Sequence, residues 1–146
     1  MPSRKARTEW SGGLQDGSGR VELTSSGVGT FDVSFPRRAA DSAGGTTSPE
    51  ELIAAAHTSC FAMQLSALVG AAGGSVKSLI VDAEVGLGPD KADNGFKLTG
   101  IALTVRGQVE GLDEAGFAEA ANKAKETCPI SKALTGVAIT LDASLA

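Results

Sequence analysis

Apolar and polar residues alternate with different periods in successive stretches of the chain. Near the start, short β-like runs at Thr8 to Leu14, Arg20 to Ser25 and Thr30 to Phe35 are separated by the glycine turns DGSG and SGVG. Runs of this kind between glycines predict an antiparallel meander. A Gly/Ala/Ser/Thr-rich loop from Arg37 to Thr47 follows, and then the period changes. Ser48-Pro49-Glu50-Glu51 has a serine to cap a helix, a proline for its first position and a glutamate three residues after the cap. The helix is predicted from Pro49 to about Val69. Ile53, Ala56, Cys60, Met63 and Ala67 recur at steps of three and four along it, a stripe that places Cys60 on the buried face.

A period of two returns at Leu79, Val81, Ala83 and Val85, and again at Ile101, Leu103, Val105 and Val109, which predicts two half-buried strands joined over the Pro89 to Gly95 turn. Asp113 to Thr127, rich in Ala, Glu and Lys, reads as a second helix. Cys128-Pro129 opens a short helical turn through Leu134, and Val137 to Leu145 is a last strand. The order βββ, α, ββ, α, β implies an α+β protein with helices packed on antiparallel sheet.

Size and charge narrow the function. A chain of 146 residues fits one domain, 1–146. With 17 acidic and 13 Lys plus Arg residues the net charge is -4, and the basic residues cluster only at Arg4, Lys5 and Arg7, so nucleic acid is not an expected partner. The N-terminal MPSRKARTEW has no apolar segment behind its basic residues, which predicts a cytoplasmic protein. Leu52 to Ala72 is long enough to span a bilayer. It is mostly alanine, though, and is interrupted by His57, Thr58, Ser59, Gln64 and Ser66, so a helix buried in protein is expected and not a membrane partner.

In a reducing compartment two cysteines are either inert core residues or transient redox groups. Cys60 lies mid-helix, where the dipole has faded, and needs a nearby cation to ionise; Arg37, Arg38 and His57 are the candidates. Arginine suits the task best, because it stays charged and can stabilise a thiolate and a leaving oxygen together. Glu51 has the capping position, which leaves Glu50 to orient an arginine. Ten residues of straight helix nevertheless separate Glu50 from Cys60 by roughly 15 Å, so a second subunit or a bent helix must join them. Cys128, at the start of a helix before proline, is placed to be a resolving or leaving thiol. His57 with Cys60 and Cys128 could alternatively bind zinc, but a hydrogen-bonded core histidine is the simpler reading, and no CxxC pair supports a metal.

The segments TSPEELIAAAHTSCFAMQLS and ETCPISKAL resemble the two cysteine motifs of the osmotically inducible protein C and organic hydroperoxide resistance (OsmC/Ohr) family. The resemblance runs from Trp10-Ser11-Gly12 through GRVEL and GVGTFDVSF to AITLDASL. His57 and Ile130-Ser131-Lys132-Ala133-Leu134 are more similar to the OsmC branch. It implies an OsmC-like fold, distinct from thioredoxin-like peroxiredoxins, in an intertwined homodimer with its sites at the subunit interface. It further implies a cysteine-based peroxidase for organic hydroperoxides in oxidative and osmotic stress defence. Cys60 would be the peroxidatic cysteine and Cys128 the resolving one, with Arg38 and Glu50 as the supporting pair and Arg37 the neighbouring alternative to Arg38. No bound cofactor or metal is implied; the reductant would be an external dithiol, a dihydrolipoyl group on a lipoylated protein. Phe35, Phe61 and Met63 are expected near the substrate. The competing reading is a non-catalytic stress or small-ligand-binding protein on the same fold.

Overall fold

Glycine and alternation give the first sheet as expected, with shorter strands. In the computed structural model, which describes residues 2–146, β1 (Arg7–Ser11), β2 (Ser18–Glu22) and β3 (Thr30–Val33) pair antiparallel in chain order. Gly19 on β2 faces Trp10 on β1, and a Cβ at Gly19 would meet the indole ring at 2.8 Å. The strand therefore needs glycine there to seat the ring. Phe35, expected to end β3, instead opens a short helix, α1 (Phe35–Arg38). Its cause is local: Ser34 Oγ accepts from Arg37 N at 3.4 Å and Pro36 occupies the first turn.

The chain divides into two compact units, one ending at Leu52 and the other beginning at Ile53. In the second, β4 (Ser75–Asp90) and β5 (Gly95–Glu110) form a hairpin longer than the alternation alone predicts. The chain then passes through α3 (Glu114–Thr127) and α4 (Pro129–Ala133) to β6 (Ile139–Leu145). Asp113 caps α3, its Oδ1 accepting from Gly116 N at 2.8 Å. Because two helices intervene, β6 returns parallel to β5, a pairing that a tight turn could not make. The fold class is α+β, with this one parallel pair in otherwise antiparallel sheets.

The long helix α2 runs over Pro49–Ala71. Its buried face corrects the predicted one. His57, Phe61, Leu65 and Val69 are fully buried, whereas Ala56 and Ala67 are exposed, Met63 is 74 % exposed and Cys60 is half-buried. Apolar residues occur on every side of this helix, so steps of three and four can be traced along more than one face. Packing selects the line that carries the large side chains. Phe61, Leu65 and Val69 form a core with Ile101, Leu103 and Val105 of β5 and with Phe117, Ala120, Ala121 and Ala124 of α3. Only one face of the helix is covered by this chain. By length and composition α2 is also apolar enough to cross a membrane.

Candidate active site

Within the first unit, Arg38 and Glu50 form a tight ion pair. Arg38 Nη2 donates to Glu50 Oε1 at 2.7 Å, and Arg38 Nε donates to Oε1 and Oε2 at 3.2 and 3.1 Å. Two features place them: α1 aims Arg38 inward, and Ser48 starts α2 by accepting from Glu51 N at 3.2 Å. Glu51 does not turn back to complete the reciprocal half of the capping box; it accepts from the Thr47 hydroxyl. Glu50 is thus left for the arginine. Arg37 is exposed, with its guanidinium over Gly44, where a Cβ would meet it at 2.8 Å.

Burial pushes the Glu50 carboxyl up, but the Arg38 hydrogen bonds, a backbone N–H and the Arg38 charge outweigh it and hold the group below the ordinary carboxylate range. The same hydrogen bond strengthens the proton hold of Arg38, against its burial. Beside the pair is a cavity of about 460 Å³ lined chiefly by apolar groups, among them Trp10, Leu14, Val21, Val33, Phe35 and Leu52, with Arg38 in its wall.

Within the second unit the two cysteines meet although 68 positions separate them. Cys60 Sγ and Cys128 Sγ are 3.0 Å apart; Cys60 is half-buried and Cys128 has no exposed surface. Cys128 is the joint between α3 and α4, its N–H donating to Ala124 O at 2.8 Å and its carbonyl accepting from Lys132 N at 3.0 Å. Two further bonds flank the sulfurs, one from α2 to α4 and one from α2 to α3. One turn before Cys60, His57 Nε2 and Ser131 Oγ are 2.8 Å apart; one turn after it, Gln64 Nε2 donates to Thr127 Oγ1 at 2.9 Å. The result is a three-rung ladder with the thiols in the middle.

The rungs decide where a negative charge rests. Burial raises both thiols. For Cys60 the hydrogen bond with Cys128 and the neighbouring charge act in the same direction, and the Ile130 N–H only partly opposes them, so Cys60 stays up. For Cys128 the hydrogen bond from Cys60, the N–H groups of Ser131 and Ile130 and the Ser131 hydroxyl outweigh burial, and its pKa falls. These groups act through loose geometry, since no side-chain cap bond forms at Cys128. Distance alone lets either sulfur be the donor across 3.0 Å. The surrounding N–H groups bias it: among the groups of this unit they favour a negative charge on Cys128 over one on Cys60.

Two of the expected residues are placed differently from the sequence reading. Phe61 is in the core and Met63 points to the surface, whereas His57 is the hydrogen-bonded core histidine that the sequence favoured, bonded to Ser131 and not to a sulfur. Phe35 does line the cavity beside Arg38. Among the described residues no three His, Cys, Asp or Glu side chains converge as a zinc site requires. Ser131, Gln64 and Thr127 escaped the sequence reading. The signal for the helix side was present, because His57 and Gln64 are polar interruptions one turn either side of Cys60.

His57 is neutral because burial pushes its pKa down. Like Glu50, it is harder to protonate folded than unfolded, so the unfolded chain binds more protons in acid and stability falls as pH falls. The loss begins below the unfolded histidine value of about 6.5, and Glu50 adds to it below about 4.3. Thermal melting from neutral to mildly acid pH should show this decline, and His57→Gln should flatten its upper part. A wild-type curve flat over that range would contradict a buried, neutral His57.

With the fold and geometry described, comparison with known proteins gives consistent matches. Residues 42–142 match the family model described as OsmC-like protein. The chain is 39 % identical over 142 residues to peroxiredoxin OsmC of Escherichia coli (strain K12), covering 97 % of this chain and 96 % of that one. It is 36 % identical over 97 residues to the organic hydroperoxide resistance protein OhrA of Bacillus subtilis (strain 168), covering 66 % of each. The crystal structure of an organic hydroperoxide resistance protein OsmC from Legionella pneumophila superposes with a TM-score of 0.79 at 31 % identity, over 99 % of this chain and 98 % of that one.

Proposed function

We propose, from the premise that the chain belongs to the OsmC-like protein family, that it serves peroxide defence by reducing organic hydroperoxides to alcohols with Cys60 and Cys128. The observation that carries this reading is the pair of sulfurs 3.0 Å apart, one reachable from solvent and the other sealed. A peroxide can reach only Cys60, and Cys128 is already placed to capture what forms there.

The Cys60 thiolate attacks the distal peroxide oxygen, the O–O bond breaks, and the alkoxide takes a proton to leave as alcohol, with Cys60 now a sulfenic acid. Attack by the Cys128 thiolate then expels hydroxide, which takes a proton to become water, and the disulfide protects Cys60 from further oxidation. An external dithiol, here assigned to a dihydrolipoyl group on a lipoylated protein, returns both thiols. Because the second unit alone favours charge on Cys128, the first step needs a cation at Cys60. Arg38 takes that role, oriented by Glu50. A homodimer in which the pair of one chain serves its partner would meet that need, and the exposed apolar face of α2 at Ala56, Met63 and Ala67 supports such an assembly. The apolar cavity beside Arg38 favours a hydrocarbon-bearing peroxide over hydrogen peroxide.

The test is the intact mass of the reduced protein before and after one equivalent of cumene hydroperoxide, with thiols blocked after denaturation and peptides mapped. The expected result is loss of two hydrogens and a Cys60 to Cys128 linkage within seconds. Two free thiols in folded protein would reject the peroxidase and favour a non-catalytic binding protein.

A further inference from the structure

The reaction so far uses neither His57 nor Ser131, although the two form a buried polar pair at the end of the cysteine ladder. His57 has no exposed surface, Ser131 is 4 % exposed, and the bond between them is 2.8 Å long. Placing a polar pair in such a site has a cost, the more so because His57 Nδ1 is buried without a hydrogen-bond partner. A structural pin between two helices would not require a histidine with an orphaned nitrogen.

The orphan fixes the direction of the chain. A neutral imidazole has one N–H. A buried N–H without an acceptor is a rarer and more costly state than an unpaired acceptor, so the proton belongs on Nε2 and Nδ1 is bare. Nε2–H then donates to Ser131 Oγ, which leaves the Ser131 hydroxyl hydrogen free to point elsewhere. Its neighbour on that side is Cys128, three residues earlier at the start of α4, and the hydroxyl there favours the charged form of that thiol. The row consists of His57 bonded to Ser131 at 2.8 Å, Ser131 one turn after Cys128 on α4, and Cys60 Sγ 3.0 Å from Cys128 Sγ.

We propose that Ser131 and His57 are positioning residues for the second half-reaction, holding Cys128 as the oriented thiolate that attacks the Cys60 sulfenic acid. This rests on the peroxidase reading above. In that step the Cys128 electron pair forms the S–S bond, the Cys60 S–O bond breaks with its pair on oxygen, and the departing hydroxide takes up the proton that Cys128 had released. Ser131 and His57 lose no atom and change no oxidation state; they supply donors to the charge before it is spent. Burial keeps His57 neutral, so the row carries no cation that would draw the nucleophile's charge away. The other titratable group facing the Cys128 sulfur is Cys60. On α3 and α4 the charged neighbours Glu126 and Lys132 are exposed and Lys125 is half-buried.

The experiment is rapid acid quench of the reduced full-length chain after one equivalent of cumene hydroperoxide, resolving Cys60 oxidation from disulfide formation by mass. Ser131→Ala should not slow the first step, because it removes a group that favours charge on Cys128 over Cys60. It should slow the second about tenfold, the order expected for a lost hydrogen bond to a charged group, and move its pH profile to higher pH with more sulfinic Cys60. Ser131→Thr, which keeps the hydroxyl, should restore it. Disulfide formation in Ser131→Ala at the wild-type rate, or slowed equally at every pH and not rescued by threonine, would overturn the proposal. A readout independent of peroxide is the ultraviolet thiolate absorbance of Cys128 in Cys60→Ser chains, with its midpoint expected to rise when Ser131→Ala or His57→Leu is added. An unmoved midpoint in folded protein overturns the proposal even if no peroxide is reduced. Absence of the first step in the wild type would instead reject the peroxidase reading.

Discussion

A Cys60→Ser chain is expected to consume no organic hydroperoxide, a loss of at least about a thousandfold in turnover, because the nucleophile that becomes oxidised is gone. Cys128→Ser should behave differently. Its first equivalent of peroxide should be reduced, after which Cys60 accumulates as sulfinic and sulfonic acid for want of a partner. Stopped-flow consumption of cumene hydroperoxide, followed by mass mapping of Cys60, separates the two. If Cys128→Ser were the inactive chain and Cys60→Ser the one that turned over once, the roles would be reversed. That outcome would agree with the thiol charges of the second unit taken alone, which favour Cys128. Mixing inactive Cys60→Ser with inactive Arg38→Ala probes the rest of the site. Recovery of up to about half the wild-type activity per mixed dimer is expected if the arginine of one chain serves the cysteine of the other, since such a dimer has one intact site.

Phe61→Ala should cost about 3–5 kcal/mol, the range for truncating a large buried aromatic. Phe61 has no exposed surface and sits among Leu65, Leu103, Phe117 and Ala121 in the core. Met63→Ala, two residues on, should cost within about 0.5 kcal/mol in dilute protein, because Met63 is 74 % exposed. Denaturant melts of both chains measure the contrast. A cost for Met63→Ala that grows with protein concentration would report the covering of that helix face by a second chain.

That contrast also marks where the sequence was legible. The sheets could be read because each depends on near neighbours: glycine turns for β1 to β3, and a period of two for β4 and β5. The start of α2 could be read from Ser48 and Pro49 for the same reason. The buried face of α2 could not. Its alanines and small polar residues leave the choice to partners more than thirty residues away, and β5 and α3 select the Phe61 side. The parallel return of β6 is likewise a long-range result. At the site, the tandem arginines look equivalent in sequence, and only the turn of α1 separates them, sending Arg38 to Glu50 and Arg37 over Gly44. Ser131 was invisible as a partner because nothing near residue 131 indicates the histidine 74 positions earlier.

The joint at Cys128 bears on how the proposed peroxidase would spend its time in a catalytic cycle. Its backbone is bonded to α3 on one side and to α4 on the other, and its sulfur already stands 3.0 Å from the atom it would join. A resolving thiol on a remote loop must wait for local unfolding, so every turnover passes through a partly open chain exposed to proteases and to aggregation. Here no such opening is needed. Amide exchange at Cys128 should be as slow in oxidised as in reduced protein, and the interval between turnovers should be set by how often a reductant arrives.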